Sequence, residues 1–435
     1  MSAEAQANTR REFDLPFAIV VVAAAIALAA GLVVRLGELS EGVDAGTTDR
    51  IAWGLLVVNY VAFIGLSAGG VIIASLVYIL NLKRFKSIAT FAELLAVISI
   101  LLVPFFIAFD LGRPERAINL VLFGRIESPL VWTVIVLTTY LVVCITYLYY
   151  GVRRELLALA ERPGRLQWLY RLTLFGYRDA SEASFERDAR LVRRMSYVVL
   201  PLAIALHSIT GLIFAVVGAR PGYHTAIMPP LFVVSAVLSG IALVTFVIVV
   251  AGKRVKLPVE PGTVEELGKI MAILLPVLAY LLLMEWTVVF YGANPGPLNV
   301  WSFIATGAYA PLFWALVVLG LVVPFALLAH PRWRTRRTVG IASGLIVFGV
   351  FLERYLIVIT PLLFPTLPGS IQLFAPSTSE FLMVAGGYGL GVLLVALATK
   401  LFPVGVMYDQ LRHGKPERPG GAGSGGIVGP SAPEK

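Results

Sequence analysis

Long apolar runs alternate with short polar breaks along most of this 435-residue chain. Clear examples are Ile19–Val34, Ile88–Phe109 and Leu267–Phe290, each near the roughly 20 residues that a bilayer-spanning helix needs. Charged and Pro/Gly-rich breaks separate the other apolar stretches in the same way. The pattern predicts an all-α polytopic membrane protein with about ten transmembrane helices. The predicted spans cover residues 16–36, 53–80, 88–109, 130–150, 196–218, 229–251, 267–290, 310–329, 338–361 and 380–402.

The loops between these spans alternate in charge. The loops after spans 2 and 8 are basic, and the segment 151–195 after span 4 has ten arginines against six acidic residues. On the other side, the loop after span 1 has four acidic residues against Arg50, and 291–309 and 362–379 contain no charged residue. The positive-inside rule therefore predicts that both termini are cytoplasmic, in the inner (cytoplasmic) membrane of the cell. The side of the termini and the basic loops is the predicted cytoplasmic face, and the opposite side is the predicted outer face.

The span pattern assigns residues 1–412 to one integral membrane domain. Residues 413–435 are rich in Gly and Pro and include GGAGSGG, which predicts a disordered cytoplasmic tail. The segment 151–195 is too polar to span and too short to form a separate domain. We therefore assign no catalytic residues to a soluble domain, and expect any catalysis at the membrane or in a partner.

Composition agrees with the membrane assignment and limits the chemistry. The chain is 58% hydrophobic and 14% charged, whereas an ordinary soluble domain is roughly a quarter charged. The net charge of +9 follows from the basic loops, so we expect membrane lipid and no nucleic acid as a partner. Cys144 is the single cysteine, and His207 is the one mid-membrane histidine of four. With so few ligands, we expect this chain to bind no haem, metal or flavin. A single mid-membrane histidine also argues against a bis-histidine cytochrome b.

Ionisable side chains within predicted spans are costly, and are functional candidates for that reason. Glu93 lies in the inner part of span 3, and His207 lies near the middle of span 5. Glu285, Glu353 and Arg354 lie in the outer parts of spans 7 and 9. Structural roles stay open at this point. Glu353 and Arg354 can lock helices by ion pairs, His207 can bond a hydroxyl or carbonyl, and Glu93 can reach cytoplasmic water.

A polar motif, Asp110-Leu-Gly-Arg-Pro-Glu-Arg116, follows span 3. Gly112 and Pro114 favour a helix stop. A carboxylate at a helix C-terminus is disfavoured by the helix dipole, so Asp110 is expected to make a specific contact, although a local bond to an arginine is an alternative. Polar groups near the predicted outer surface suit a carbonyl-bearing, lipid-soluble ligand such as a quinone. A secondary transporter or a proton-translocating membrane subunit needs similar groups. Its helices should be broken near the midplane, whereas Pro104, Pro201 and Pro276 lie nearer span ends.

Two further patterns predict packing. Small residues at 65 and 67–70 in span 2 allow close approach of a neighbouring helix. Aromatic residues near outer span boundaries are expected to be interfacial anchors. These are Trp53, Trp132, Trp301, Tyr223 and Tyr309.

From about Trp53 to span 9 the chain resembles the NrfD/PsrC family of polysulfide-reductase-type, quinone-interacting membrane subunits. The most specific pair of motifs is 110–116 followed by Ser128-Pro-Leu-Val-Trp132. The segment from His207 to Pro230 is similar to the longer, ten-span members. Other matching positions are Asn59-Tyr60, Gly65-Leu-Ser-Ala-Gly69, His207-Ser208, Arg220-Pro-Gly-Tyr-His224, Pro229-Pro230, Glu285 and Glu353-Arg354-Tyr355.

The resemblance has departures. Many relatives have Asp directly after the Ser-Pro-x-x-Trp motif, where this chain has Thr133. Subunits of alternative complex III have an Asp a few residues after the span 5 histidine, where this chain reads Gly211-Leu-Ile-Phe214. These departures weaken a proton-pumping role but leave the quinone-site interpretation in place.

The resemblance implies a cofactor-free subunit that exchanges electrons and protons between membrane quinone or quinol and an iron–sulfur partner on the outer face. The quinone is menaquinone or ubiquinone, and the partner is ferredoxin-like, with a molybdopterin or cytochrome subunit beyond it. We expect two four-helix bundles plus flanking helices. The candidate quinone-binding residues are Asn59, Tyr60, Asp110, Arg113 and His207. Candidates for proton transfer or a second polar cluster are Glu93, Glu285, Glu353 and Arg354, and those for partner docking are Arg116 and His224.

Overall fold

A computed structural model describes residues 15–41, 48, 51–161, 163–164, 166–253, 257, 259–365 and 369–401. Within these residues the regular elements are helices, and no strand occurs. The tail predicted to be disordered, 413–435, lies outside the described residues. Ten of the described helices are long and apolar enough to cross a membrane, which confirms the predicted count. Spans 1–10 are Leu15–Glu41, Leu55–Tyr78, Lys86–Asp110, Pro129–Glu161, Glu182–Ala215, Met228–Ala251, Thr263–Gly292, Ala310–Ala329, Arg336–Leu363 and Thr378–Leu401.

The spanning helices form two bundles and a flanking pair. Spans 2–5 pack around one another as the first four-helix bundle, and spans 6–9 form the second. The bundles meet where spans 2 and 5 pack against span 6, and where span 2 also contacts span 9. Spans 1 and 10 pack on each other, and span 10 lies against span 3. The predicted architecture of two four-helix bundles plus flanking helices is confirmed.

Glycines of span 2 allow close helix contacts both between the bundles and within the first bundle. A Cβ added to Gly69 would lie 2.2 Å from the carbonyl oxygen of Gly240 in span 6. A Cβ on Gly70 would lie 2.4 Å from the carbonyl oxygen of Ala92 in span 3. Real side chains do not approach backbone this closely, so only glycine allows these two contacts. The predicted close approach at the small-residue stretch of span 2 is confirmed.

Span 8 contains an irregular stretch that the sequence did not indicate. Its middle, Leu316–Val322, is a π-helix between two α-helical segments. Here a Cβ on Gly320 would lie 2.7 Å from the Cα of Gly349 in span 9. Gly349 is about one helical turn before Glu353, so this backbone contact fixes the part of span 9 that carries the buried acid.

Spans 4 and 5 are longer than predicted, because both helices continue beyond the apolar stretch. Span 4 extends to Glu161 and span 5 begins at Glu182, so much of the predicted 151–195 loop is helical. Hydropathy identifies only the membrane-embedded part, whereas Arg, Glu, Leu and Ala continue a helix well in water. Arg153 joins the two extensions, with its Nε donating to Asp188 Oδ2 at 2.6 Å. Its guanidinium also lies 3.8 Å from the ring centroid of Tyr177.

The orientation of the chain is tested by cysteine labelling in intact cells. In a Cys144→Ser background, we expect a membrane-impermeant thiol reagent to label Ala219→Cys and to spare Ala180→Cys. Both alanines are exposed, in the segments that follow spans 5 and 4 respectively. Permeabilised cells, in which both positions react, provide the control. Labelling of Ala180→Cys alone in intact cells would invert the predicted orientation.

Candidate functional site

A buried arginine lies at the interface between the two bundles. Arg354 of span 9 is 1% exposed. Its guanidinium donates to the hydroxyl of Ser235 in span 6 and lies 3.8 Å from the ring centroid of Phe232. Its Nη1 is 3.7 Å from Oε1 of the adjacent Glu353, which is equally buried. The two residues therefore form an ion pair, and Arg354 also joins spans 6 and 9.

His207 of span 5 faces the same interface from the first bundle. It is 2% exposed and lies within electrostatic range of Arg354. Its Nε2 has no hydrogen-bond partner among the described residues. The sequence alone placed His207 and Arg354 in separate clusters, in different halves of the chain. The fold brings the two residues together, because spans 5 and 9 both border span 6.

Span 2 adds two polar side chains near its predicted outer end. Asn59 is fully buried, and its Nδ2 donates to the carbonyl of Leu55 at 2.8 Å, while its Oδ1 has no partner among the described residues. The half-buried Tyr60 lies within electrostatic range of both Asp110 and Tyr223. A buried polar atom without a partner costs about 1–3 kcal/mol. The free atoms of Asn59 and His207 are therefore suited to a polar group supplied by a ligand.

Aromatic side chains border this polar region. The rings of Trp53 and Phe214 meet edge to face at 5.7 Å, and Phe214 is 5.8 Å from Phe232. Tyr223 is 1% exposed and its hydroxyl donates to the carbonyl of Val358 at 2.5 Å. Tyr223 and Tyr309 are both buried, so the prediction that these two are interfacial anchors is wrong. Their hydroxyls have partners inside the protein, Tyr309 facing the hydroxyl of Tyr355 at 3.4 Å.

The motif after span 3 is fixed by an arginine that sequence reasoning missed. Span 3 ends at Asp110. Arg35 of span 1 is 5% exposed and its Nη2 donates to the carbonyl of Ala108 at 3.1 Å and to that of Leu111. A cation at the C-terminal carbonyls of a helix is favoured by the helix dipole, and it offsets the unfavourable position of Asp110. The sequence did contain an indication of this role, because Arg35 is a charged residue within the predicted range of span 1.

Most of the rest of this motif is exposed. Pro114–Ile118 form a short 3₁₀-helix, and Arg113 and Arg116 are exposed. His224 is also exposed, with its Nδ1 3.0 Å from the carbonyl oxygen of Ala215. Arg113 is thus exposed, as the docking candidates Arg116 and His224 are. The assignment of Arg113 to the quinone site stays a prediction without geometric support.

The remaining acids of the predicted second cluster lie in separate places. Glu285 accepts a hydrogen bond from Thr225 Oγ1 at 2.6 Å and so ties span 7 to the connection between spans 5 and 6. Glu93 is 5% exposed inside the first bundle, where a Cβ on Gly151 would lie 3.6 Å from its Oε2. Glu93 also lies beside Tyr147. Glu93 is therefore buried and does not reach the predicted cytoplasmic surface.

A second missed residue, Glu380, positions the start of span 2. It is 1% exposed in the first turn of span 10, and its Oε1 accepts the backbone N–H of Leu55. A Cβ on Gly54 would collide with this carboxylate. A carboxylate at a helix N-terminus is favoured by the helix dipole. Hydropathy placed Glu380 at the boundary of span 10, where a side chain is expected to reach water, so its burial was not predicted.

No group of three or more metal-ligating side chains occurs in the part of the chain that the structure describes. The polar region instead contains hydrogen-bonding groups on five helices, spans 2, 3, 5, 6 and 9, with aromatic rings beside them. Such an arrangement can hold a small ligand with an apolar ring and polar oxygens.

Comparison with known proteins agrees with this description. Residues 44–366 match the family model described as polysulphide reductase, NrfD. A proposed membrane subunit of a dimethyl sulfoxide reductase from Halobacterium salinarum is 32% identical over 77% of this chain and 75% of its own length. A selenate reductase subunit of Mesobacillus selenatarsenatis is 27% identical over 87% of this chain and 93% of its length. The Hdr-like menaquinol oxidoreductase integral membrane subunit of Archaeoglobus fulgidus is 27% identical over 89% and 93%. The chain belongs to the NrfD family of polysulphide-reductase-type membrane subunits.

Proposed function

We propose that this chain exchanges electrons and protons between membrane quinone or quinol and an iron–sulfur partner subunit bound at the predicted outer face. As a member of its family it is a membrane subunit of quinone-linked reductase complexes. The Archaeoglobus relative is named a menaquinol oxidoreductase subunit. This supports menaquinone as the substrate here, with ubiquinone the alternative. The proposal includes a ferredoxin-like partner, a molybdopterin or cytochrome subunit beyond it, and a place in the inner membrane.

The observation that carries the proposal is the buried polar region between the bundles. A quinone ring is apolar and has two carbonyl oxygens, and its reduction to a quinol takes up two electrons and two protons. Tyr60 can donate a hydrogen bond to one oxygen, and His207 can bond the other oxygen or pass a proton through its Nε2, which has no partner among the described residues. The fixed guanidinium of Arg354 favours negative charge that develops nearby. Phe214 and Phe232 provide aromatic surface for the ring.

Photoaffinity labelling tests this assignment. An azido-menaquinone should cross-link to peptides of spans 2, 5 or 6 near Tyr60, His207 or Phe232, and unlabelled menaquinone should compete. Cross-linking confined to spans 7 and 8, with the same competition, would place the quinone elsewhere and contradict the proposed site.

The helices support a quinone site over a secondary transporter. Transporters of similar size use helices broken near the midplane at their substrate sites. Within the described spans, Pro104, Pro201 and Pro276 lie inside continuous helices. The π-helical segment of span 8 is followed directly by further helix. The polar groups thus come from the side chains of intact helices.

Docking of the iron–sulfur partner is expected to depend on exposed arginines near the end of span 3. Arg113→Glu should weaken co-purification of the partner, because a reversed charge at an interface both removes an attraction and adds a repulsion. We expect about a tenfold loss of affinity that diminishes at high salt. Arg125→Glu is the matched control, since Arg125 is exposed on the same connecting segment. Equal losses for the two variants would argue against a specific role for Arg113.

A further inference from the structure

A large apolar groove lies between the flanking pair and the two bundles. Its volume is about 1540 Å³, and its walls come from spans 1, 2, 3, 6, 9 and 10. Phe17, Phe63, Leu95, Phe246 and Val392 are representative lining residues. The groove is separate from the polar region proposed for the quinone, because none of the residues placed there lines it.

The groove has the length of one membrane leaflet. On span 10 its lining runs from Tyr388 to Lys400, which is about 18 Å along a helix. Half of a hydrocarbon core of about 30 Å is about 15 Å. Lys400 is the charged residue among its described lining residues, and it lies at the end on the predicted cytoplasmic face. Its Nζ is 4.5 Å from the ring centroid of Phe17.

Two more basic residues lie at the same end of the groove. Lys253 is exposed and follows the lining residue Ala251 by two positions. Arg336 donates to the carbonyl of Ile248 at 3.2 Å, which places it beside the lining residues Val247 and Val250. The mouth of an apolar groove is therefore bordered by positive charge at the cytoplasmic-side ends of spans 6, 9 and 10.

We propose that this groove binds an anionic diacyl phospholipid. The acyl chains occupy the apolar walls, and the headgroup phosphate lies among Lys253, Arg336 and Lys400. Basic pockets between transmembrane helices on the cytoplasmic side favour anionic headgroups. The charge distribution favours this occupant over a quinone, because an anionic phosphate is attracted more strongly by three cations than an uncharged carbonyl oxygen is. The lipid would join the flanking pair to both bundles.

Native mass spectrometry of the full chain tests the headgroup. Detergent-purified protein is titrated with dioleoyl-phosphatidylglycerol and, separately, with dioleoyl-phosphatidylcholine. We expect tighter binding of phosphatidylglycerol, and a loss of about 30-fold in the Lys253→Gln/Lys400→Gln double variant. Each basic residue near an anionic headgroup contributes about 1 kcal/mol, and about 1.4 kcal/mol is a tenfold change. Arg194→Gln, an exposed basic residue that does not line the groove, should bind like the unmodified chain.

A pair of tryptophan variants tests the acyl-chain site. Val392 and Leu397 are both exposed on span 10, but Val392 lines the groove and Leu397 does not. Val392→Trp should lower phosphatidylglycerol binding, while Leu397→Trp should leave it unchanged. Equal binding of both lipids by the unmodified chain and the double variant would overturn the proposal. Displacement of phosphatidylglycerol by menaquinone, with binding sensitive to Val392→Trp but not to the double variant, would make the groove a quinone-tail site instead.

Discussion

Replacing His207 with leucine is expected to lower quinol-dependent turnover by about 10²–10⁴-fold, the usual contribution of a positioned acid–base group. His207 is a buried imidazole that faces the bundle interface, and its Nε2 has no partner among the described residues, so it can bind a ligand oxygen. The complex should still assemble. Leucine fills the buried site with apolar atoms. Because Nε2 has no partner among the described residues, its removal leaves none of them without a hydrogen bond. Turnover is measured with a soluble menaquinol analogue, and assembly by co-purification of the partner.

Thr210→Val is the matched control for this substitution. Thr210 is buried about one turn further along span 5, and its hydroxyl donates to the carbonyl of Leu206 in its own helix. This variant should retain turnover. Normal turnover of His207→Leu would show that the proton-exchanging group lies elsewhere, and Glu353 and its surroundings would become the better candidates. A joint loss of turnover and assembly in both variants would indicate a packing effect.

Hydropathy was sufficient for the number and order of the spanning helices, because a bilayer core requires long apolar segments. It could not find the ends of spans 4 and 5. There the helices continue into water, held by contacts such as that between Arg153 and Asp188. The π-helical part of span 8 was equally invisible. It accompanies the contact between Gly320 and Gly349, and that contact depends on which helices are neighbours.

The candidate site was predictable residue by residue but not as an arrangement. His207 and Arg354 were identified because they are ionisable residues within apolar spans, where such residues are rare. Their proximity depends on how one bundle packs against the other, which no periodicity within a single span contains. Arg35 and Glu380 were missed for a related reason. Both lie near span ends, where a charged side chain normally reaches water, and only the fold shows that each is buried against a neighbouring helix terminus.

The bundle interface itself is expected to be the most sensitive packing contact in the protein. In Gly240→Ala, the new Cβ would lie 2.3 Å from the backbone nitrogen of Gly69, and backbone cannot move aside as a flexible side chain can. Overpacking of this kind typically costs about 1–3 kcal/mol and occasionally more. Spans 2 and 6 also carry Asn59 and Ser235, two buried polar residues of the proposed site. Gly240→Ala should push spans 2 and 6 apart, and it should therefore lower both thermal stability and quinol turnover.

Gly37→Ala distinguishes this effect from a general effect of glycine substitution. Gly37 lies within the helix of span 1, and a Cβ there would meet none of the described residues' atoms within 4 Å. Alanine is favoured over glycine inside helices by about 1 kcal/mol, so this variant should be neutral or slightly more stable. The measurements are the melting temperature of the purified chain and the turnover of the assembled complex. An unchanged melting temperature for Gly240→Ala would contradict the close contact between spans 2 and 6. Lower stability with full turnover would instead show that the site tolerates movement of the bundles, and that its polar groups need not be held by this interface.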